Sequence, residues 1–386
     1  MRVGIDARYA FRRQRRGIGE YVTALLQHLP GVAAASDTFL LYVDGPAEAD
    51  TLVLPDGRFQ LRRLATANPL LWEEIALPRA AGRDGLDLLH MTSNYGPSFP
   101  PCPTVYTIHD LIEFLRPDFG PMRLPLRHAA GRAVRIRTLP GQARRARRVI
   151  TVSDASRRDL VRLLRLPGDR IRVIPHGITL PAAGGPPDAA AARAALRAAG
   201  YPVPEVYVLA FGALDPRKNG PFVMRAFAAV HAAFPDAALW IVGVERPAAY
   251  PLPWADPPPW LTVAGFAPRD ALQRLLVGAT AFVYPSLYEG FGFPALEAMA
   301  SDVPVLATDR SSVPEVVGDA GLLFDPTDES QLAAALRRVL GDEGLRRALV
   351  ARGRARLGRY SWAAAARATY AVYEEAVGAS AVGGAP

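Results

Sequence analysis

Short apolar runs alternate with longer segments of helical periodicity along almost the whole chain. Val3 to Ile5, Phe39 to Val43, Leu86 to His90, Val105 to Ile108, Val149 to Val152 and Ile171 to Ile174 form a first set of runs rich in β-branched residues. Tyr207 to Gly212, Ala238 to Val242, Leu261 to Val263, Ala281 to Tyr284, Val303 to Ala307 and Gly321 to Phe324 form a second. A brief apolar run closed by turn residues reads as a strand buried on both faces, and strands that alternate with helical segments make parallel sheets. Between the two sets, Pro181-Ala-Ala-Gly-Gly-Pro-Pro187 punctuates the chain as a linker. The pattern predicts two doubly wound α/β domains, residues 1–182 and 188–361, facing each other across a cleft lined by the carboxyl ends of their strands. Beyond residue 328 the periodicity is purely helical, through Gln331 to Leu340, Leu345 to Leu357 and Trp362 to Ala376. Residues 362–377 form a helix that is a candidate to pack back on the first domain, and the small residues of 378–386 predict a flexible tail.

Composition narrows the class. At 386 residues, half of them hydrophobic and 21% charged, the chain has the makings of two globular cores and not of a disordered or disulfide-stapled scaffold. A net charge of +8 points to an acidic partner: nucleic acid, an anionic membrane face or phosphorylated small molecules. The single cysteine, Cys102, excludes an internal disulfide and a Cys-rich zinc site, and it fits a reducing compartment. Met1 to Asp6 reads as a strand, not as a cleavable leader, and no run approaches the roughly 18 apolar residues of a membrane span. The expected location is the cytoplasm, with the inner face of the membrane as a candidate peripheral site. Of the 45 basic residues, 44 are Arg, and the exception is Lys218.

The densest chemistry lies in Tyr284-Pro-Ser-Leu-Tyr-Glu-Gly-Phe-Gly-Phe-Pro-Ala-Leu-Glu297. A strand ends at Tyr284, a glycine-bearing turn follows, and Pro294 suits the start of a helix. Such a turn offers backbone N–H groups and a positive helix end to phosphate. Glu289 in the loop and Glu297 one turn into the helix are acceptors suited to sugar and ribose hydroxyls. N–H groups for an anion beside carboxylates for a polyol describe a nucleotide sugar, against the plain alternative of a surface turn with two solvated carboxylates. Phe211-Gly-Ala-Leu-Asp-Pro-Arg-Lys-Asn219 sets Arg217 and Lys218 at the end of another strand, where two cations can neutralise a departing diphosphate. A solvated basic pair is the alternative. The isolation of Lys218 tells against it, because an ammonium is a compact point charge that a guanidinium fork does not replace.

In the first half, Arg16-Gly-Ile-Gly-Glu-Tyr21 puts Gly17 and Gly19 between the opening strand and a helix, where backbone can approach a ligand. Arg8, Arg12, Arg13, Arg15 and Arg16 make the preceding loop cationic. Thr107-Ile-His-Asp-Leu111 places His109 at a strand's carboxyl end; Val152 to Ser156 and Pro175-His-Gly177 read as a helix cap and a turn. No Asp-x-Asp, no His-x-x-x-His and no acidic cluster offers a metal cage, so no metal is expected and phosphate charge falls to Arg217, Lys218 and a helix end. No Gly-x-x-x-x-Gly-Lys-Ser/Thr supports a P-loop enzyme. From Arg123 to Arg148 there are nine Arg and no acidic residue, interleaved with apolar positions, a surface suited to anionic lipid or simply a solvated helix face. No aromatic stands in that stretch to stack a base, so nucleic acid is not expected.

Together these residues resemble the retaining GT-B glycosyltransferases of family 4. The resemblance runs nearly the length of the chain through Gly17-Ile-Gly19, Thr107 to Asp110, Val152 to Ser156, Pro175 to Gly177, Arg217 to Asn219, the pair Glu289 and Glu297, Ser311-Ser-Val-Pro-Glu315 and Gly318 to Gly321. It implies two Rossmann-like domains, an acceptor-binding first and a nucleotide-sugar-binding second. It implies that Glu297 binds the nucleotide ribose and Glu289 the donor sugar, with backbone at Phe291, Gly292 and Phe293 also meeting the donor. Arg217 and Lys218 would lie on the diphosphate, His109 in the sugar pocket, and Gly17 and Gly19 near donor phosphate and acceptor. Pro285 to Pro294, with Ser-Ser-Val-Pro-Glu-Val and Thr-Ile-His-Asp-Leu, is most similar to bacterial mannosyltransferases that use GDP-mannose for surface polysaccharides. The partners implied are a nucleotide-sugar donor and a glycan or lipid-linked acceptor. Ala213 and Arg310-Ser311 stand where that branch varies, so a UDP-sugar enzyme with a soluble acceptor stays open. A non-catalytic sugar-nucleotide binder stays open too, with Arg217, Lys218, Glu289 and Glu297 counting against it.

Overall fold

The computed structural model describes residues 1–12, 17–45, 54, 57–66, 68–115, 119, 126–180 and 188–382, the side chains of 126–130 and 379–382 excepted. The linker at Pro181 to Pro187, Arg13, Arg15 and Arg16 of the cationic loop, Arg123, and residues 383–386 lie outside them. Two compact units emerge, one of Met1–Phe114, Leu124–Gly177 and Tyr360–Pro386, the other of Leu115–Arg123 and Ile178–Arg359.

The first unit carries β1 (Arg2–Asp6), β2 (Thr38–Val43), β3 (Phe59–Arg63), β4 (Leu88–Met91), β5 (Thr104–Thr107), β6 (Arg148–Thr151) and β7 (Ile171–Val173). They form one all-parallel sheet in the order β3-β2-β1-β4-β5-β6-β7. The second unit carries β8 (Val206–Phe211), β9 (Ala237–Val242), β10 (Leu261–Val263), β11 (Ala281–Tyr284), β12 (Val305–Thr308) and β13 (Gly321–Phe324), parallel in the order β10-β9-β8-β11-β12-β13. Both orders reverse direction beside the first strand of the unit, the arrangement of a doubly wound Rossmann-like sheet. The α/β expectation of two such domains is borne out. Central strands such as β1, β4, β5, β11 and β12 are buried on both faces, which is why they read as unbroken apolar runs.

Three differences from the expected elements have physical causes. The strand β3, Phe-Gln-Leu-Arg-Arg, was not expected; it is a half-exposed edge strand whose alternation lacks an apolar run. Strand β12 begins at Val305, not Val303, because Pro304 has no N–H for a ladder bond. The last helix, Trp362–Val382, continues through Gly378 into the predicted tail, since one helical glycine costs only about 1 kcal/mol.

That helix lies in the first unit, against the helix Ile18–His28. Tyr370 donates a hydrogen bond to Asp37 at 2.6 Å, Tyr373 is buried against His90 at 2.7 Å, and Glu375 accepts from Arg148 and Arg172 at 2.9 and 2.7 Å. Gly177 is required here by close approach, for a Cβ would lie 2.3 Å from the Trp362 backbone nitrogen.

Candidate active site

The sheet reverses direction in the second unit between β8 and β11, and the loops that leave these two strands carry the expected chemistry. After β8, Asp215 accepts from the Arg217 N–H and starts a single 3-10 turn over Pro216–Lys218, which ends at Asn219 in the left-handed region. After β11, the chain turns through Pro285 to Gly292 and enters the helix Phe293–Ala300, with Pro294 as its second residue. Gly292, at φ 128, adopts a backbone conformation that side-chain-bearing residues rarely reach.

The two loops meet through one carboxylate oxygen. Arg217 Nη1 donates to Glu289 Oε1 at 2.6 Å and Lys218 Nζ donates to the same oxygen at 2.7 Å. Arg217 Nη1 also donates to the Tyr288 carbonyl at 2.7 Å, and Lys218 stands 5.6 Å from the centre of the Tyr284 ring. Burial pushes the Glu289 carboxyl up, but Lys218 and Arg217 outweigh it and bring it down to about 2. The same burial with Glu289 nearby pushes the Tyr284 hydroxyl well up, and Glu297 adds to that effect from the helix. Phe291 is buried and meets Phe293 edge to face at 5.3 Å.

In the first unit, Gly17 precedes the helix Ile18–His28 at φ 33, and Gly19 is buried one residue inside it. His109, beyond β5, is buried with both ring nitrogens engaged: Nε2 lies 2.9 Å from the Thr92 carbonyl and Nδ1 lies 3.2 Å from His176 Nε2. Tyr21 packs on both rings, at 5.1 and 4.8 Å, and His176 packs on Trp362 at 5.7 Å. Both nitrogens of the His109 ring thus meet partners within the first unit. Arg8, expected in a cationic loop, is instead buried. It forms two bonds to Asp6 at 2.9 and 2.8 Å and one to Glu73 at 3.1 Å, with Trp72 3.8 Å beneath its guanidinium.

Comparison with known proteins adds the family. The profile of Glycosyltransferase Family 4 matches residues 15–180, and that of Glycosyl transferases group 1 matches residues 205–342. The chain belongs to the family 4 glycosyltransferases. An O-antigen chain mannosyltransferase B from Escherichia coli is 32% identical to this family 4 chain over 273 residues, 67% of this chain and 66% of that protein. A D-inositol 3-phosphate glycosyltransferase from Acidothermus cellulolyticus is 32% identical over 294 residues, 71% of this chain and 62% of that protein. The matches thus span just under two thirds of these relatives' own lengths. The sucrose-phosphate synthase of Thermosynechococcus elongatus superposes with a TM-score of 0.72 over 98% of this chain and 99% of its own, at 23% identity, a likeness of fold.

In this family 4 chain the loop after β11 is held by two serines that follow β12. Ser311 Oγ accepts from the Glu289 N–H at 2.9 Å, and the Ser312 hydroxyl lies 2.9 Å from the Glu289 carbonyl and 2.6 Å from that of Phe291. Ser311-Ser-Val-Pro-Glu315 enters the sequence reading only as part of the family resemblance, and the fold shows which loop its two serines face. Among the described residues no group of three or more His, Cys, Asp or Glu is arranged to hold a metal ion.

Proposed function

We propose that this protein transfers a hexose from a nucleotide diphosphate sugar to an acceptor hydroxyl with retention at the anomeric carbon. GDP-mannose is the first choice of donor, and a lipid-linked or surface-polysaccharide glycan is the first choice of acceptor. The observation that carries the reading is the convergence of Arg217, Lys218 and Glu289 at the direction-reversing point of the second sheet, where ligands of such sheets bind. Mannose rests on the O-antigen relative and on the Pro285 to Pro294 segment.

In this reading Arg217 and Lys218 neutralise the diphosphate as the bond from C1 to its oxygen breaks. Glu289, ionised throughout the physiological range, holds the two cations apart from solvent counter-ions and accepts the sugar's hydroxyls. Glu297 takes the ribose hydroxyls, and backbone at Phe291, Gly292 and Phe293 faces the donor. By the family resemblance, Gly17 and Gly19 would serve the donor phosphate and the acceptor, and His109 the sugar pocket. The acceptor oxygen bonds to C1 on the face the diphosphate leaves, and its proton passes to a leaving phosphate oxygen. No carboxylate nucleophile is assigned, since Glu289 is bound to two cations and the step proceeds by positioning and charge neutralisation. Charge on the phosphates is met by Arg217 and Lys218, so no divalent ion is required.

The test is a donor panel of GDP-mannose, UDP-glucose and UDP-GlcNAc, with product mass and anomeric configuration read by spectrometry and NMR, with and without EDTA. Fastest turnover of GDP-mannose, a retained anomeric configuration and insensitivity to EDTA are expected. A UDP-sugar preference would replace the donor, an inverted product would remove the mechanism, and EDTA loss rescued by Mg²⁺ would remove the metal-free reading.

A further inference from the structure

Ser312 occupies the N-cap position of the short helix Val313–Val317, the place where a serine hydroxyl usually accepts from first-turn N–H groups. Here it makes no capping bond. The side chain is fully buried and turns to the loop after β11, where its hydroxyl lies 2.9 Å from the Glu289 carbonyl and 2.6 Å from the Phe291 carbonyl. Ser311 sits at φ 53, in the left-handed region that disfavours any residue but glycine. Its Oγ accepts from the Glu289 N–H at 2.9 Å. Two consecutive serines thus hold Glu289 by both its N–H and its carbonyl, at the expense of an unused cap and a disfavoured backbone.

A trans peptide points its C=O and the following N–H in opposite directions. Carbonyls of Glu289 and Phe291 drawn toward Ser312 therefore aim the N–H bonds of Gly290 and Gly292 away from it. The geometry points to Ser311 and Ser312 as positioning residues that together fix the Glu289 carboxylate on Arg217 and Lys218 and set the direction of the Gly292 N–H toward the donor diphosphate. This role rests on the reading of the loop as the donor site. It places no serine on the substrate. Its effect is on orientation, so it falls on the step in which charge develops on the diphosphate.

The experiment uses the full chain and whichever of GDP-mannose, UDP-glucose or UDP-GlcNAc turns over fastest, with nucleotide release as the readout. Ser311→Gly relieves the left-handed backbone while removing the acceptor; Ser312→Ala removes the donor. Both are expected to lower kcat by about 10- to 100-fold with donor KM changed by less than about 3-fold, as for a misplaced catalytic group. Ser311→Gly is expected to melt at or above the parent temperature, so that its loss of kcat cannot come from lost stability. Parental kcat in Ser311→Gly overturns the role, whether or not Ser312→Ala folds. Lys218→Ala runs in the same assay: if it keeps full activity, the donor-site reading itself fails, whereas its loss beside an active Ser311→Gly removes the serine role alone.

Discussion

Lys218 Nζ and Glu289 Oε1 lie 2.7 Å apart although 71 residues separate them, because β8 and β11 are neighbours in the sheet and each loop leaves its strand at the same end. The pair is mostly enclosed, with side chains 20% and 14% exposed. Removing Glu289 leaves two enclosed cations without their shared partner, and removing Lys218 leaves Glu289 with Arg217 alone. Lys218→Ala and Glu289→Ala are each expected to lower kcat by at least about 100-fold. Lys218→Arg should fail as well, because the planar fork cannot replace a point charge between Glu289 and the Tyr284 ring. Steady-state kinetics with the preferred donor measures all three, and a near-parental kcat in any alanine variant would contradict the site.

The two cations also set a pH window. Burial raises the Glu289 carboxyl, and Lys218 with Arg217 brings it down to about 2, below the roughly 4.3 of an unfolded chain. The charge therefore contributes stability in full above the unfolded value and loses it as pH falls toward 2. Between pH 8 and 5 no ionisation of Glu289 should appear in kcat/KM. In Lys218→Met the burial is less opposed, so the Glu289 pKa rises and an acid limb enters the profile from below. An identical acid limb in parent and variant would show that the carboxylate is not held by Lys218.

The sheets were legible because their strands are buried on both faces, and Ile5, Leu89, Val105, Val283 and Leu306 sit in unbroken apolar runs. Strand β3 escaped because an edge strand needs only Phe59 and Leu61 on one face, with Gln60 and Arg62 between them. Arg217, Lys218 and Glu289 stood out in the sequence by loop chemistry and by the isolation of Lys218 among 44 Arg, and the fold brings these three together. What sequence could not give was partnership across loops. Arg8 read as a member of a cationic loop until Asp6 and Glu73 closed on it, and Ser312 was a motif position without a role until its hydroxyl faced Phe291. The contacts of Arg8 with Glu73 and of Ser312 with Phe291 are non-local, 65 and 21 residues apart in the chain.

Three histidines of the first unit predict acid sensitivity. Burial lowers the pKa of His90 to about 3, with His109 adding to it; burial lowers His109 to about 4, partly offset by its bond to Thr92; and burial puts His176 well below the usual value. Each group is neutral when folded and takes a proton when unfolded below about pH 6.5, so stability is full above that value and is lost as pH falls toward the folded values. Three such groups give a slope of up to about 4 kcal/mol per pH unit. Thermal melts at pH 7.5, 6 and 5 should show a steep fall, and His90→Gln, which keeps a partner for Tyr373, should lessen the slope by about a third. An unchanged slope would mean that His90 already carries a proton in the folded protein.

The basic stretch after Arg123 is less uniform in the fold than in the sequence, and the difference decides which residues to test. Arg132 donates to the Glu113 carbonyl, Arg148 to Glu375 and Arg144, at 3.3 Å, to the Leu164 carbonyl, so these three also serve the fold. Arg137, Arg144, Arg145 and Arg147 are exposed, and the aromatic absent from the stretch itself is supplied by Phe99, 76% exposed and 4.9 Å from the Arg145 guanidinium. Arg145, Arg147 and Phe99 line one shallow groove of about 360 Å³. Cations beside an exposed apolar ring suit an anionic bilayer, where each Arg near the surface contributes about 1 kcal/mol. Vesicles of phosphatidylglycerol in phosphatidylcholine are expected to sediment the protein at low salt and release it as salt screens the charge. Reversal of two charges in Arg144→Glu with Arg147→Glu should weaken that binding by at least about 10-fold, and Phe99→Ser should weaken it without changing its salt dependence. Neither variant touches Arg217, Lys218 or Glu289, so nucleotide release should stay at the parental rate. Binding to single-stranded DNA in place of vesicles, with the same dependence on Phe99, would reassign the groove to base stacking.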